Sequence, residues 1–151
     1  MERQQLPELG ISLNIPKGFT LMDDEMRKTK YPYEGGPSIV FSDATRDINI
    51  AINAGAVPMS VEQVNDYKIA VTSAMSSYQA SAESVTIDGG RKAWIIGVTS
   101  KAMDTDIRNI IMVTSFRDKL TIVAFNCPQE QWDTYKDSAK AALLSIKFDD
   151  K

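Results

Sequence analysis

The chain predicts an α+β domain with a central antiparallel sheet of about six strands, an N-terminal hairpin and two main helices. Three observations predict it. Residues 92–101, 108–116 and 119–127 alternate apolar and polar side chains and follow one another through short turns, which makes an antiparallel meander and not a βαβ crossover. Residues 61–78, and the segment that begins at Pro128, carry apolar residues at helical spacing. The chain is 151 residues long with no internal repeat or linker-like tract, so residues 1–151 read as one domain, long enough to hold a core without disulfides or metals.

The elements follow in order. Ile11, Leu13 and Ile15 alternate with Ser12 and Asn14, so residues 10–15 form a strand. Pro16-Lys17-Gly18 is a turn signal, and residues 19–22 continue as a short return strand. Asp23, Asp24 and Glu25 suit one helical turn. Tyr31-Pro32-Tyr33-Glu34-Gly35-Gly36-Pro37 is a loop, since two prolines and two glycines in seven residues break any regular element. Residues 38–42 and 46–54 pair as a hairpin. In the second of these, Ile48, Ile50 and Ile52 face the core, while Asn49, Ala51 and Asn53 face water or small groups.

Ser60-Val61-Glu62-Gln63 is a capping box that opens the first long helix, whose apolar stripe is Val61, Val64, Val71, Met75 and Tyr78. Residues 84–87 turn at Asp88-Gly89-Gly90 into the meander, with Trp94, Ile96 and Val98 on one face. Residues 103–106 and Arg117-Asp118 are its turns. Pro128 starts the last helix, with Trp132, Tyr135, Ala139, Ala142 and Leu143 inward, and residues 145–148 close as a short strand.

Composition excludes several functions. The chain contains no histidine, the usual general base near neutral pH and the commonest metal ligand, so it lacks most hydrolytic triads and most zinc or iron sites. Its one cysteine, Cys127, can close no internal disulfide and build no thiolate cage, and reads as a buried structural thiol. The net charge of −3, with Lys and Arg scattered among acids, argues against nucleic acid, whose binding needs a dense positive field. No apolar run reaches signal-peptide or membrane-span length. The expected location is cytoplasmic, or the envelope if a leader has been removed.

The acids are sparse candidates. Asp23, Asp24, Glu25 and Glu34 lack the calcium-loop spacing, so no metal site is assigned. Asp104 and Asp106 could share acid and base roles in a hydrolase, but turn aspartates more often bond their own backbone. No catalytic residue and no cofactor are therefore assigned. Tyr31, Tyr33 and Glu34 are the candidate partner-binding residues, because tyrosines on a loop offer large contact area at small entropic cost. The competing reading folds this loop over a sheet edge with Tyr31 or Tyr33 in the core. Trp94 and Trp132 read as core residues.

The opening Ile11-Ser12-Leu13-Asn14-Ile15-Pro16-Lys17-Gly18-Phe19, the helix over 61–78, the turn Asp88-Gly89-Gly90-Arg91-Lys92-Ala93-Trp94, and the closing Gln131-Trp132 and Ser145-Ile146-Lys147-Phe148 together resemble the PsbP-like family. That family includes the extrinsic photosystem protein, the Ran-binding Mog protein, DcrB-type lipoproteins and Eag-type chaperones of secretion effectors. The resemblance covers nearly the whole chain. It implies an α/β/α sandwich around an antiparallel sheet and no shared catalytic machinery. Phe19 stands where many members have tryptophan, and the lipid-accepting cysteine of DcrB-type members is absent. The resemblance carries no functional residue across. The function expected is a non-catalytic interaction module for a protein or peptide partner, adaptor or chaperone-like, using an exposed sheet face or the 31–37 loop. The alternatives are a binder of small apolar ligands, with a pocket between sheet and helix lined by Trp94 and methionines, and, as a minor reading, a hydrolase using acidic residues.

Overall fold

A computed structural model describes residues 1–32, 37–75, 80–101 and 105–148. Among them ten strands and three α-helices follow one another as β1 (Glu2–Leu6), β2 (Ile11–Ile15), β3 (Thr20–Leu21), α1 (Asp24–Lys30), β4 (Ile39–Ser42), β5 (Asn49–Pro58), α2 (Val61–Ala74), β6 (Ser81–Ile87), β7 (Arg91–Lys101), β8 (Asp106–Phe116), β9 (Lys119–Pro128), α3 (Trp132–Leu144) and β10 (Lys147–Phe148). They build two antiparallel sheets. The larger has seven strands in the order β3-β4-β5-β9-β8-β7-β6, and the smaller has three in the order β1-β2-β10. This corrects the single sheet of about six strands.

The meander follows the pattern expected of it. β7, β8 and β9 pair in register from Lys101↔Asp106 and Ile107↔Pro128 to the Phe116↔Lys119 turn. That turn puts Arg117 and Asp118 at φ 55° and 60°, a left-handed pair where glycine or asparagine is usual. β5 joins β9 with a register shift between Ala54 and Pro58, and Met59 N–H then donates to the Asp118 carbonyl at 2.8 Å.

The N-terminal hairpin forms, but with other partners. β2 pairs upstream with β1, Leu6↔Ile11 to Glu2↔Ile15, through a turn at residues 7–10. Pro16-Lys17-Gly18 is thus a crossover between sheets, and the return strand at Thr20 pairs with Ser42 on the large sheet. β1 escaped the sequence reading because Glu2, Arg3, Gln4 and Gln5 show no apolar alternation. It forms because β2 offers it a ladder and Leu6 reaches the core.

Side-chain alternation on β7 sorts the layers. Ala93 and Ile95 pack in the main core with Ile50, Ile52, Met112, Val123, Phe125, the α3 residues Ala139, Ala142 and Leu143, and the β2 residues Ile11, Leu13 and Ile15. Ile96 and Val98 lie on the other face, with Val64 of α2, Val113 and the partly buried Tyr67, Val71 and Trp94. One face of the large sheet is therefore covered by α3 and the small sheet, and the other by α2.

The stripe of α2 is narrower than expected. Val61 and Met75, at its two ends, are exposed, and the central turns Val64, Tyr67 and Val71 make the contact. Tyr78 lies outside the described residues. The helix does open on the expected capping box: Ser60 Oγ accepts from Gln63 N–H, and Gln63 Oε1 accepts from Ser60 N–H at 2.8 Å. The single polar turn expected at residues 23–25 extends into the seven-residue α1, capped by Asp23 Oδ1 accepting from Met26 N–H at 2.7 Å. Met26 and Tyr31 pack on a small cluster of Met22, Val40 and Ala51, so the Ala51 face of β5 is covered there rather than wet. Among the described residues no helix is long and apolar enough to cross a membrane.

Candidate functional site

α3 and the β6–β8 end of the large sheet do not close on one another. Between them lies an open groove of about 420 Å³. Register places its floor. Ser81 and Glu83 of β6 stand opposite Gly97 and Ile95 of β7, which stand opposite Ile110 and Met112 of β8. Arg108, two residues before Ile110, shares that face. Trp132, Lys136, Asp137 and Lys140 of α3 form the roof and wall.

Each lining residue has a local cause. Gly97 stands between the β-branched pairs Ile95-Ile96 and Val98-Thr99, and a side chain there would start 3.1 Å from Ser81 Oγ, so the glycine keeps the floor deep. Trp132, in the first turn of α3, sits 6.4 Å centroid to centroid from Phe125 of the sheet and is only partly buried. The Arg108 guanidinium lies over its indole at 4.7 Å. Lys140 of α3 pairs with Glu83 of β6, tying the helix to the edge strand across the groove mouth. Lys136 stands 3.7 Å from Asp133, a loose and largely solvated pair.

β6 forms the outer lip. It is an edge strand, paired on one side only, and runs seven residues against β7 in unbroken register. Its first four residues are exposed, and none of the seven is lysine or proline, the usual edge protectors. The opposite edge, β3, is only two residues long.

The one expected partner-binding residue that the structure describes, Tyr31, lies outside this groove. Tyr31 is the C-cap of α1, its N–H donating to the Arg27 carbonyl at 2.8 Å, and its side chain packs partly buried beside Met26. Tyr33 and Glu34 lie outside the described residues, as do Asp104 and Met103. Asp106 begins β8 opposite Lys101, and Thr105 Oγ1 donates to Glu130 Oε2 at 2.7 Å. That hydroxyl, and the backbone N–H of Glu130 itself, hold the Glu130 carboxyl below its ordinary range. Cys127 is fully buried on β9, and burial pushes its thiol up to about 11, with Arg108 working against the rise. Among the described residues no three histidine, cysteine or acidic side chains stand close enough to hold a metal ion.

The pocket expected between sheet and helix is lined differently than expected. Trp94 lies on the α2 face under Lys68 Nζ at 4.2 Å, and Trp132 takes its place on the groove side. Among the described residues no methionine lines it: Met22 and Met112 are buried, and Met26 and Met59 pack on other clusters. Both tryptophans are partly buried rather than core. Reading the sequence missed Gly97 and Arg108. An isolated glycine inside a strand, and an arginine in phase with Ile110 and Met112, were the available signals.

No protein-family model matches the chain, and no curated protein matches it by sequence. Solved structures do. A cyanobacterial PsbP, CyanoP from Synechocystis sp. PCC 6803, matches with a TM-score of 0.70 and 20% identity, over 97% of this chain and 91% of that one. A Bacteroides thetaiotaomicron protein matches with a TM-score of 0.63 and 13% identity over 94% of this chain, which spans 46% of that structure's length. LpqN of Mycobacterium tuberculosis, involved in cell envelope biogenesis, matches with a TM-score of 0.52 and 17% identity, over 91% of this chain and 82% of that one. Near-complete cover in both directions with CyanoP extends to the whole element order the resemblance read from Ile11-Pro16-Gly18, Asp88-Gly90 and Gln131-Trp132. The chain has the PsbP-like fold.

Proposed function

We propose that the chain is a non-catalytic interaction module that takes a short segment of a protein or peptide partner into the groove between α3 and β6–β8. The observation that carries this is the shape of that groove: a floor emptied by Gly97, open along an edge strand whose outer backbone groups no described strand pairs. An extended segment finds there both apolar wall, from Ile95, Ile110 and Trp132, and backbone partners along β6. The layering of α2, the large sheet and α3 supports reading the fold as an α/β/α sandwich, a rigid frame for such a site.

A small apolar ligand is the second reading, because about 420 Å³ falls within the range of small-molecule pockets. The lining argues against it, since Glu83, Arg108, Lys136, Asp137 and Lys140 all face that space. The hydrolase reading draws no support from Glu130, whose carboxylate is bonded to Thr105 and stays ionised. What supports a non-catalytic role is the absence of histidine and the burial of the only thiol. No nucleic-acid partner is proposed, given the net charge of −3. For location, the involvement of LpqN in cell envelope biogenesis favours the envelope over the cytoplasm, and fractionation of cells making the native gene product decides between them.

The test is a peptide selection on the immobilised full chain, followed by ¹⁵N chemical-shift mapping of the enriched peptides. Shifts gathered on Ile95, Gly97, Ile110 and Trp132 are expected. Shifts confined to the α2 face or to the Tyr31 region would move the site elsewhere. Turnover of an ester, phosphoester, peptide or glycoside panel that is lost in Asp106→Ala would overturn the non-catalytic reading.

A further inference from the structure

We propose that the groove selects its partner segment by an acidic side chain, which Arg108 receives. The inference rests on the groove being the binding site and adds the chemistry of what enters it.

Arg108 sits inside β8, on the face where Ile110 and Met112 follow it toward the core. A half-buried guanidinium in such a place ordinarily has a carboxylate or carbonyl partner, because desolvating the charge without one is unfavourable. The Arg108 side chain makes no hydrogen bond or ion pair among the described residues; its guanidinium lies over the Trp132 ring at 4.7 Å and acts electrostatically on the buried Cys127 thiol across the β8–β9 ladder. That contact occupies the face of the guanidinium and leaves its N–H edges to a ligand. The nearby acids are engaged: Glu83 with Lys140, and Glu130 with Thr105. Asp137 also lines the groove, and its carboxylate shows no sign of pairing with Arg108.

Charge points the same way. The groove is lined by Arg108, Lys136 and Lys140 against Glu83 and Asp137, a cationic balance on a chain whose net charge is −3. The planar fork of an arginine matches a carboxylate in two parallel bonds, and the indole fixes its plane in advance. Ile95, Ile110 and Trp132 give it an apolar surround, and a segment seated on them displaces water and strengthens that pair. The occupant is therefore an extended peptide segment with an aspartate or glutamate beside an apolar residue, the carboxylate on Arg108 and the apolar group on the floor at Gly97.

The experiment displays a random peptide library against the immobilised full chain, its Arg108→Gln variant and its Gly97→Val variant, each checked for native unfolding behaviour. Wild type enriching acidic peptides, with Arg108→Gln weakening those peptides about tenfold and losing the acidic preference, supports the proposal. Enrichment without acidic preference, or a preference that survives Arg108→Gln, overturns it and leaves the peptide-binding reading standing. Equal enrichment on wild type and on Gly97→Val, in which the floor is filled, overturns both. So does a concentration-dependent dimer that Gly97→Val dissociates, because the occupant is then a second copy of the chain.

Discussion

The guanidinium of Arg108 and the indole of Trp132 stand 4.7 Å apart and join the floor of the groove to its roof. Trp132 also rests on Phe125, so it links α3 to the core as well as to Arg108. Trp132→Ala is expected to destabilise the fold by about 2–3 kcal/mol, less than a fully buried tryptophan would. Arg108→Gln should cost under about 1 kcal/mol, since only the cation–ring contact is lost. Urea unfolding of both single variants and the double variant measures their coupling; a coupling of zero would separate the two residues.

Cys127 makes stability fall at alkaline pH. Its thiol is raised from 9.0 to about 11 in the folded chain because burial disfavours the thiolate. A group whose folded pKa is raised holds its proton more tightly in the native state, so its contribution is complete below about 9 and is lost as pH rises through about 11. Cys127→Ala should flatten the decline across that window, read by denaturant midpoints at several pH values. The same burial leaves the native thiol unreactive toward a disulfide reagent at pH 8 until the chain unfolds.

Asp118 carries a left-handed backbone with φ 60° in the β8–β9 turn. Glycine adopts that conformation without the clash of a Cβ. Asp118→Gly is expected to stabilise the chain by about 0.5–1 kcal/mol, with the Met59 N–H bond to its carbonyl retained. A lower melting temperature in this variant would show that the aspartate side chain contributes more than its backbone strain costs.

Glu130 titrates below its ordinary range because Thr105 Oγ1 donates to its carboxylate. Thr105→Val should move that titration upward, seen in the carboxyl ¹³C shift. The sign follows from the bond: a depressed carboxylate favours the fold above its unfolded pKa, and that contribution is lost as pH falls through the folded value. An unchanged titration in Thr105→Val would assign the effect to the backbone N–H alone.

Ser60 and Gln63 show what a short stretch of residues can determine. The capping box needs only neighbours three apart, and it forms where Ser60-Val61-Glu62-Gln63 places it. The alternation of Ile48, Ile50 and Ile52 likewise names their face before any partner strand is known, and all three are fully buried in the main core. β1 resisted the same reasoning, since Glu2, Arg3, Gln4 and Gln5 carry no period and owe their ladder to β2. Trp132 was legible as an apolar residue on a helical stripe, but whether that stripe closes on the sheet depends on the residues opposite. Gly97 and Arg108 hold it open at one end, while Ala139, Ala142 and Leu143 close it at the other.

By itself the amino-acid order determined most of the elements, their alternating faces and the antiparallel meander, because those depend on side-chain period and turn chemistry within a few residues. Only the tertiary structure decided that β1, β2 and β10 form a second sheet and that a groove remains under α3. The bonds that settle these points join distant parts of the chain, as when Asn14 N–H donates to Ser145 Oγ at 2.7 Å and Phe148 N–H to Asp88 Oδ2 at 2.9 Å. Such contacts depend on how layers meet in space, and no local periodicity records them.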